Sequence, residues 1–115
     1  MTQARRALGA SGEQAVADWY EARGYELVAR NWRCREGELD LIVRRGRMFV
    51  FCEVKARSST LFGAPVEAVT RAKQTRLRHL AAKWLEEDAP VRPVKIRFDV
   101  ASVLAGEIEV LEGAF

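Results

Sequence analysis

Residues 37–55 read GELDLIVRRGRMFVFCEVK, and the fold turns on them. Two runs of strand-forming residues, Glu38–Arg44 and Arg47–Lys55, flank Gly46, which predicts a tight hairpin. The second run stays apolar on both faces until Glu53. That is the pattern of a central strand covered by helices on both sides.

Upstream, Tyr25–Asn31 predicts a further strand. Before it, Ser11-Gly12-Glu13-Gln14 fits a capping box, so a helix is expected from Ser11 to Arg23. Its apolar stripe is Val16, Trp19 and Tyr20, and Gly24 supplies a left-handed stop. Residues 1–8, with Arg5 and Arg6, predict a frayed start. Downstream, residues 56–69 are rich in Ser, Thr, Gly and Pro and predict a loop. Thr70 is the expected N-cap of a second helix that ends near Glu87, ahead of Pro90. The inward stripe of that helix is Val69, Leu77, Leu80 and Trp84. Two last strands, Val94–Leu104 and Glu107–Leu111, turn at Gly106. In the first, Val94, Ile96, Phe98 and Val100 alternate with Lys95, Arg97 and Asp99, which predicts one solvated face. The expected order is α-β-β-β-α-β-β: one α/β domain over 1–115, a mixed sheet flanked by helices.

A chain of 115 residues can bury a core without disulfide staples. Cys34, Cys52 and His79 are the only cysteines and the only histidine, which excludes a zinc-spaced cluster and predicts reduced thiols. The net charge of +3 is mildly basic and permits a nucleic-acid partner without requiring one. Neither a signal-peptide core nor a bilayer-length apolar run is present, so the expected address is the cytoplasm, with no membrane contact.

Side chains alternate along a strand, so Glu53 and Lys55 share a face, as do Glu38 and Asp40. With the hairpin at Gly46, Asp40 is expected opposite a residue close to Val50 or Phe51, within reach of Glu53. Two carboxylates there suit Mg²⁺ or Mn²⁺, and Lys55 suits the orientation of a water or the stabilisation of developing charge. The competing structural reading is an ion pair between Glu53 and Lys55. Glu13 is a third acidic candidate for the metal shell; alternatively it is a carboxylate favouring a helix start. Lys73, within the apolar arc of the second helix, and Gln74 at its border are placed to face the same cleft, where Lys73 suits a nucleic-acid phosphate; the competing reading of Lys73 is a lysine snorkelling at the end of the stripe. Arg30, Arg33 and Arg35 adjoin the site and suit phosphates, whereas Arg44, Arg45 and Arg47 at the hairpin read as a solvated turn.

GEQAVADWYEARGYELVARNWRCREGELDLIV, VFCEVKARSSTLFGAPVEAV, KQTRLRHLAAKWL, IRFDVASV and the closing EGAF together resemble the YraN-like family of small bacterial proteins, uncharacterised protein family 0102. The resemblance spans nearly the whole chain. It implies a restriction-endonuclease-like fold related to Holliday junction resolvases. It also implies that Glu13, Asp40, Glu53 and Lys55 occupy PD-(D/E)XK nuclease positions and that Gln74 matches a further position near the site. Leu39 stands where the wider superfamily has proline. The expected function is metal-dependent cleavage of DNA, branched or single-stranded, by a chain that can act as a homodimer. The alternative is a non-catalytic nucleic-acid-binding or DNA-repair scaffold module.

Overall fold

The computed structural model describes the backbone of residues 3–57 and 69–115, and side chains over 12–56 and from Val69 onward. The elements run α1 (Gln3–Glu21), β1 (Glu26–Cys34), β2 (Gly37–Arg45), β3 (Met48–Arg57), α2 (Arg71–Glu87), β4 (Lys95–Leu104) and β5 (Glu107–Leu111). This is the α-β-β-β-α-β-β order expected, in an α/β fold. The loop expected over 56–69 lies almost wholly outside the described residues.

The five strands form one mixed sheet in the order β1-β2-β3-β4-β5. Only the β3–β4 pair is parallel; its neighbours are antiparallel. A parallel neighbour needs a crossover, and the segment carrying α2 supplies it. The central strand β3 is covered on both faces, as its apolar run requires. On one face Val16, Ala17 and Tyr20 of α1 pack on Leu41, Val43, Val50, Cys52 and Ala101. On the other, Leu77, Leu80, Ala81 and Trp84 of α2 pack on Leu39, Ile42, Phe49, Phe51 and Val100. Phe49 and Phe51 both meet the Trp84 ring edge-on, at 5.6 and 5.8 Å between centroids. Each large apolar side chain fully buried here contributes roughly 1.5–3 kcal/mol of transfer free energy.

Three expectations need correction. First, α1 begins at Gln3, so residues 3–8 are helical rather than frayed and Ser11 sits inside the helix instead of capping it. Ala4, Arg5, Arg6, Ala7 and Leu8 are strong helix formers and carry the helix through Gly9 and Gly12. Gly12 has its own reason to be there: a Cβ on it would lie 2.8 Å from the Cβ of Ala56, so the glycine lets α1 approach β3 closely. The helix stops where expected, with Gly24 at φ 87°.

Second, the β2–β3 register differs. Arg45 pairs with Met48 across a two-residue turn, Gly46-Arg47, and the ladder runs to Leu41 opposite Cys52. Continuing it by one step sets Asp40 opposite Glu53, further along β3 than expected. Gly46 adopts φ 63°, as so short a turn requires.

Third, the polar face of β4 is solvated only at its start, at Lys95. Asp99 is 0% exposed, whereas Val94 and Ile96 are exposed. The sheet explains the reversal. Met48 at the start of β3 pairs with Lys95, so the beginning of β4 lies at the sheet's end, and Asp99 lies beside Cys52 at its centre.

Candidate active site

Asp40 stands at the end of the β2–β3 ladder. With no further ladder bond from β2, the Val54 N–H donates instead to the Asp40 carboxylate, at 2.9 Å. That bond fixes the acid against β3. Among the described residues Asp40 has no cationic partner in a salt bridge. Burial, then the nearby Glu53 charge, and further Glu13 and Glu38, outweigh the Val54 bond and push its pKa up to about 7.

Glu53 follows on the neighbouring strand, only 8% exposed. Lys73 of α2 pairs with it at 2.8 Å and Lys55 at 3.4 Å. The expectation that Lys73 looks into the Glu53 cleft is met. The ion pair between Glu53 and Lys55 also exists, and Lys73 makes the shorter contact. Burial, and then the adjacent Lys73, lower the pKa of Lys55. Burial opposes the charge of Lys73 too, but its bond and ion pair with Glu53 prevail and raise its pKa.

Glu13 projects from α1 toward the same corner. Among the described residues its Oε2 is buried without a hydrogen-bond partner. Burial raises its pKa most; Arg30 lowers it, Glu38 raises it, and Asn31 and Arg33 lower it. Such an atom is costly to leave unpaired. Asn31 was not singled out from the sequence. It lies in β1, between the pairs Arg30–Leu41 and Trp32–Leu39, and therefore across from Asp40. Its φ of 52° is a conformation that asparagine tolerates better than most residues. An asparagine inside a strand pattern was the available signal.

The remaining candidates distribute as follows. Gln74 donates from its side chain to the Val69 carbonyl at 3.2 Å, bracing the start of α2. The N-cap is Thr70, as expected, accepting from the Lys73 N–H. Arg30 donates to Gln14. Arg33 pairs with Glu38 at 2.7 Å, and Arg35 is exposed in the β1–β2 turn. At the hairpin end, Arg44 pairs with Glu26, Arg45 lies over the Tyr25 ring, and Arg47 donates to the Arg92 carbonyl.

Among the described residues no three His, Cys, Asp or Glu side chains converge on one metal position. Glu53 turns to Lys73, which holds its carboxylate. The chemistry of the donor set still suits a hard cation: the ligands are all carboxylate oxygens, and among the described residues one of them, on Glu13, is buried without a partner. Both cysteines are free, and burial pushes the Cys52 thiol up, consistent with an inert core residue.

The profile of the uncharacterised protein family UPF0102 matches residues 12–103. The chain belongs to this family. A UPF0102 protein of Beutenbergia cavernae is 54% identical, with 96% of this chain and 98% of the relative covered. UPF0102 protein FRAAL5785 of Frankia alni is 48% identical, with 98% of each covered. A UPF0102 protein of Nocardia farcinica is 54% identical over 87% of this chain and 78% of its own. The match to the UPF0102 profile contains Glu13, Asp40, Glu53, Lys55, Lys73 and Gln74.

Proposed function

We propose that this UPF0102 chain is a cytoplasmic, metal-dependent phosphodiesterase acting on DNA, on single-stranded or branched substrates, with a homodimer as a working form. One observation carries the reading. Asp40, held by the Val54 N–H, and Glu13, one of whose oxygens is buried without a partner, are partly desolvated acids with no salt bridge among the described residues, and they lie near a Glu53 flanked by two lysines. A purely structural cluster has no reason to keep two acids unneutralised. Among the described residues no helix is long and apolar enough to cross a membrane.

Asp40, Glu53 and Glu13 are the residues that would hold Mg²⁺ or Mn²⁺. When bound, the ion supplies a Lewis acid for a phosphate oxygen and an acidified water. The protein's own groups do the rest. Asp40 is pre-oriented by the Val54 N–H. Lys55, whose proton is loosened by burial, would hold the attacking water and meet charge that develops on the phosphate. Lys73 fixes Glu53 and keeps one positive charge beside it. Gln74 steadies the turn from which Lys73 projects.

The ion pairing of Glu53 favours the second reading, a non-catalytic nucleic-acid-binding or DNA-repair module. One assay separates the two. Purified protein with Mg²⁺ or Mn²⁺ is offered single strands, duplex, flaps and four-way junctions, while binding is followed in parallel. The nuclease reading expects cleavage that Lys55→Ala lowers by about 10²-fold or more with little change in affinity. Asp40→Asn should abolish cleavage as well. If wild type cuts none of these substrates, the binding module stands instead.

A further inference from the structure

A groove of about 510 Å³ runs between α2 and the β1–β2 turn, along the helix whose Lys73 reaches Glu53. Its floor includes Ala72 and Leu80, and its rim carries Arg76, His79 and Lys83, with Glu36 on the opposite wall. Gly37 helps to shape it: φ is 153°, and a Cβ there would crowd Leu80 at 3.2 Å. With Lys73, the rim residues follow one edge of α2 at steps of three and four. From Lys73 to Lys83 the helix rises about 15 Å, at 1.5 Å per residue.

We propose that this groove binds a single-stranded segment of nucleic acid and leads it toward the Asp40–Glu53 corner. The inference rests on the nuclease reading for its direction, but not for the binding itself. Charge complementarity selects the occupant. A single strand offers phosphates to a basic rim and base or sugar faces to an apolar floor, whereas a duplex turns its base faces inward. The size suits a small-ligand site and is ample for one nucleotide at a time.

Glu36 acts as an occupant that the strand must displace. Its carboxylate accepts from Lys83 at 3.2 Å and from the Cys34 thiol at 3.1 Å. It holds in place the lysine that a phosphate would take, and it repels that phosphate. Removing its charge therefore frees Lys83 and strengthens binding.

The test uses the full chain in EDTA, so that no cleavage intervenes, with a fluorescein-labelled oligothymidylate followed by anisotropy across a salt series. Arg76→Gln with Lys83→Gln should weaken binding about tenfold at low salt and flatten the salt slope by about 1.4, the share of two phosphate contacts on a single strand. Glu36→Gln should tighten it about threefold. Arg76 and Lys83 are not core residues, and thermal melts matching wild type confirm that the fold is kept. The proposal is overturned if wild type does not bind, if the double variant keeps the wild-type affinity and slope, or if Glu36→Gln weakens binding. It is also overturned if polyglutamate binds as tightly with the same response to the variants, which makes the groove a site for acidic polypeptides. Loss of binding in the double variant, from a protein that cuts nothing with Mg²⁺, upholds the groove and removes the nuclease. Retained cleavage with unaltered binding does the reverse.

Discussion

Two aspartates, the buried Asp99 and the half-buried Asp40, show how the same side chain serves different ends. Asp99 is fully enclosed and fully answered. Arg97 grips both its oxygens, at 2.8 and 2.9 Å, the Tyr20 hydroxyl donates at 2.6 Å, and the Gly113 N–H donates at 3.0 Å. Arg97 reaches on to Tyr25 and Glu112, so the knot ties α1, β4 and the chain end together. Among the described residues Asp40 accepts one N–H, has no salt-bridge partner and feels the charge of three acids. Burial costs both groups, but only at Asp99 do partners inside the chain offset it. An acid left incomplete beside a complete one marks where an outside partner belongs.

The largest expected effect tests the complete acid. Asp99→Ala leaves Arg97 and the Tyr20 hydroxyl without their acceptor in the interior. It should cost about 3–5 kcal/mol in urea unfolding. A loss under about 1 kcal/mol would mean that the knot is ornamental and the contrast with Asp40 empty.

Next in size is Tyr20→Phe, which removes one bond to a charged acceptor and should cost about 1.5–3 kcal/mol. Burial, together with the surrounding acids, pushes the Tyr20 hydroxyl far up in pKa, so it stays a donor throughout the working pH range. The loss should therefore stay constant with pH, and a loss that varied between about pH 5 and 8 would contradict that protonation state.

The smallest effect has the opposite sign. The Asp40 carboxyl moves from 3.8 up to about 7 on folding. The folded chain thus binds that proton more readily than the unfolded one. Stability is highest with the acid protonated and falls as pH rises from about 4 to about 7. Asp40→Asn removes this fall. Relative to wild type it should gain about 1 kcal/mol or more between about pH 5 and 8, read from parallel denaturant titrations. A flat difference across that range would reduce Asp40 to an ordinary surface carboxylate. Saturating Mn²⁺ should cancel the gain, because bound cations stabilise only the wild type.

Much of this was legible in the residues. The apolar run before Glu53 announced a doubly covered strand, Thr70 announced a helix start, and the helical stripes announced which faces pack. Alternation brought Glu53 and Lys55 to one face, and the helix arc allowed Lys73 to join them, whereas Asp40 was set too early along β3. Other features depend on partners distant in sequence. Asp99 looked solvated because alternation cannot register Tyr20 or Arg97 closing over it. Val94 looked buried because strand pattern is silent on where a neighbouring strand begins. The unpaired Glu13 oxygen and the left-handed Asn31 arise only when α1 and β1 come together at the end of β2. Ser11 misled because a capping pattern says nothing of good helix formers ahead of it.

The Gly46 hairpin works as a ruler. From Arg45 back to Asp40 and from Met48 on to Glu53 the chain counts the same number of steps, so the turn measures out two equal arms that end one step past the last paired residues, Leu41 and Cys52. Lengthening one arm by a single residue at the turn slides the other out of step and, because side chains alternate, faces one acid away from its mate. An insertion at the far end of the sheet, touching neither carboxylate, can thus disarm the pair. The spacing of the turn belongs to the site as much as the acids do.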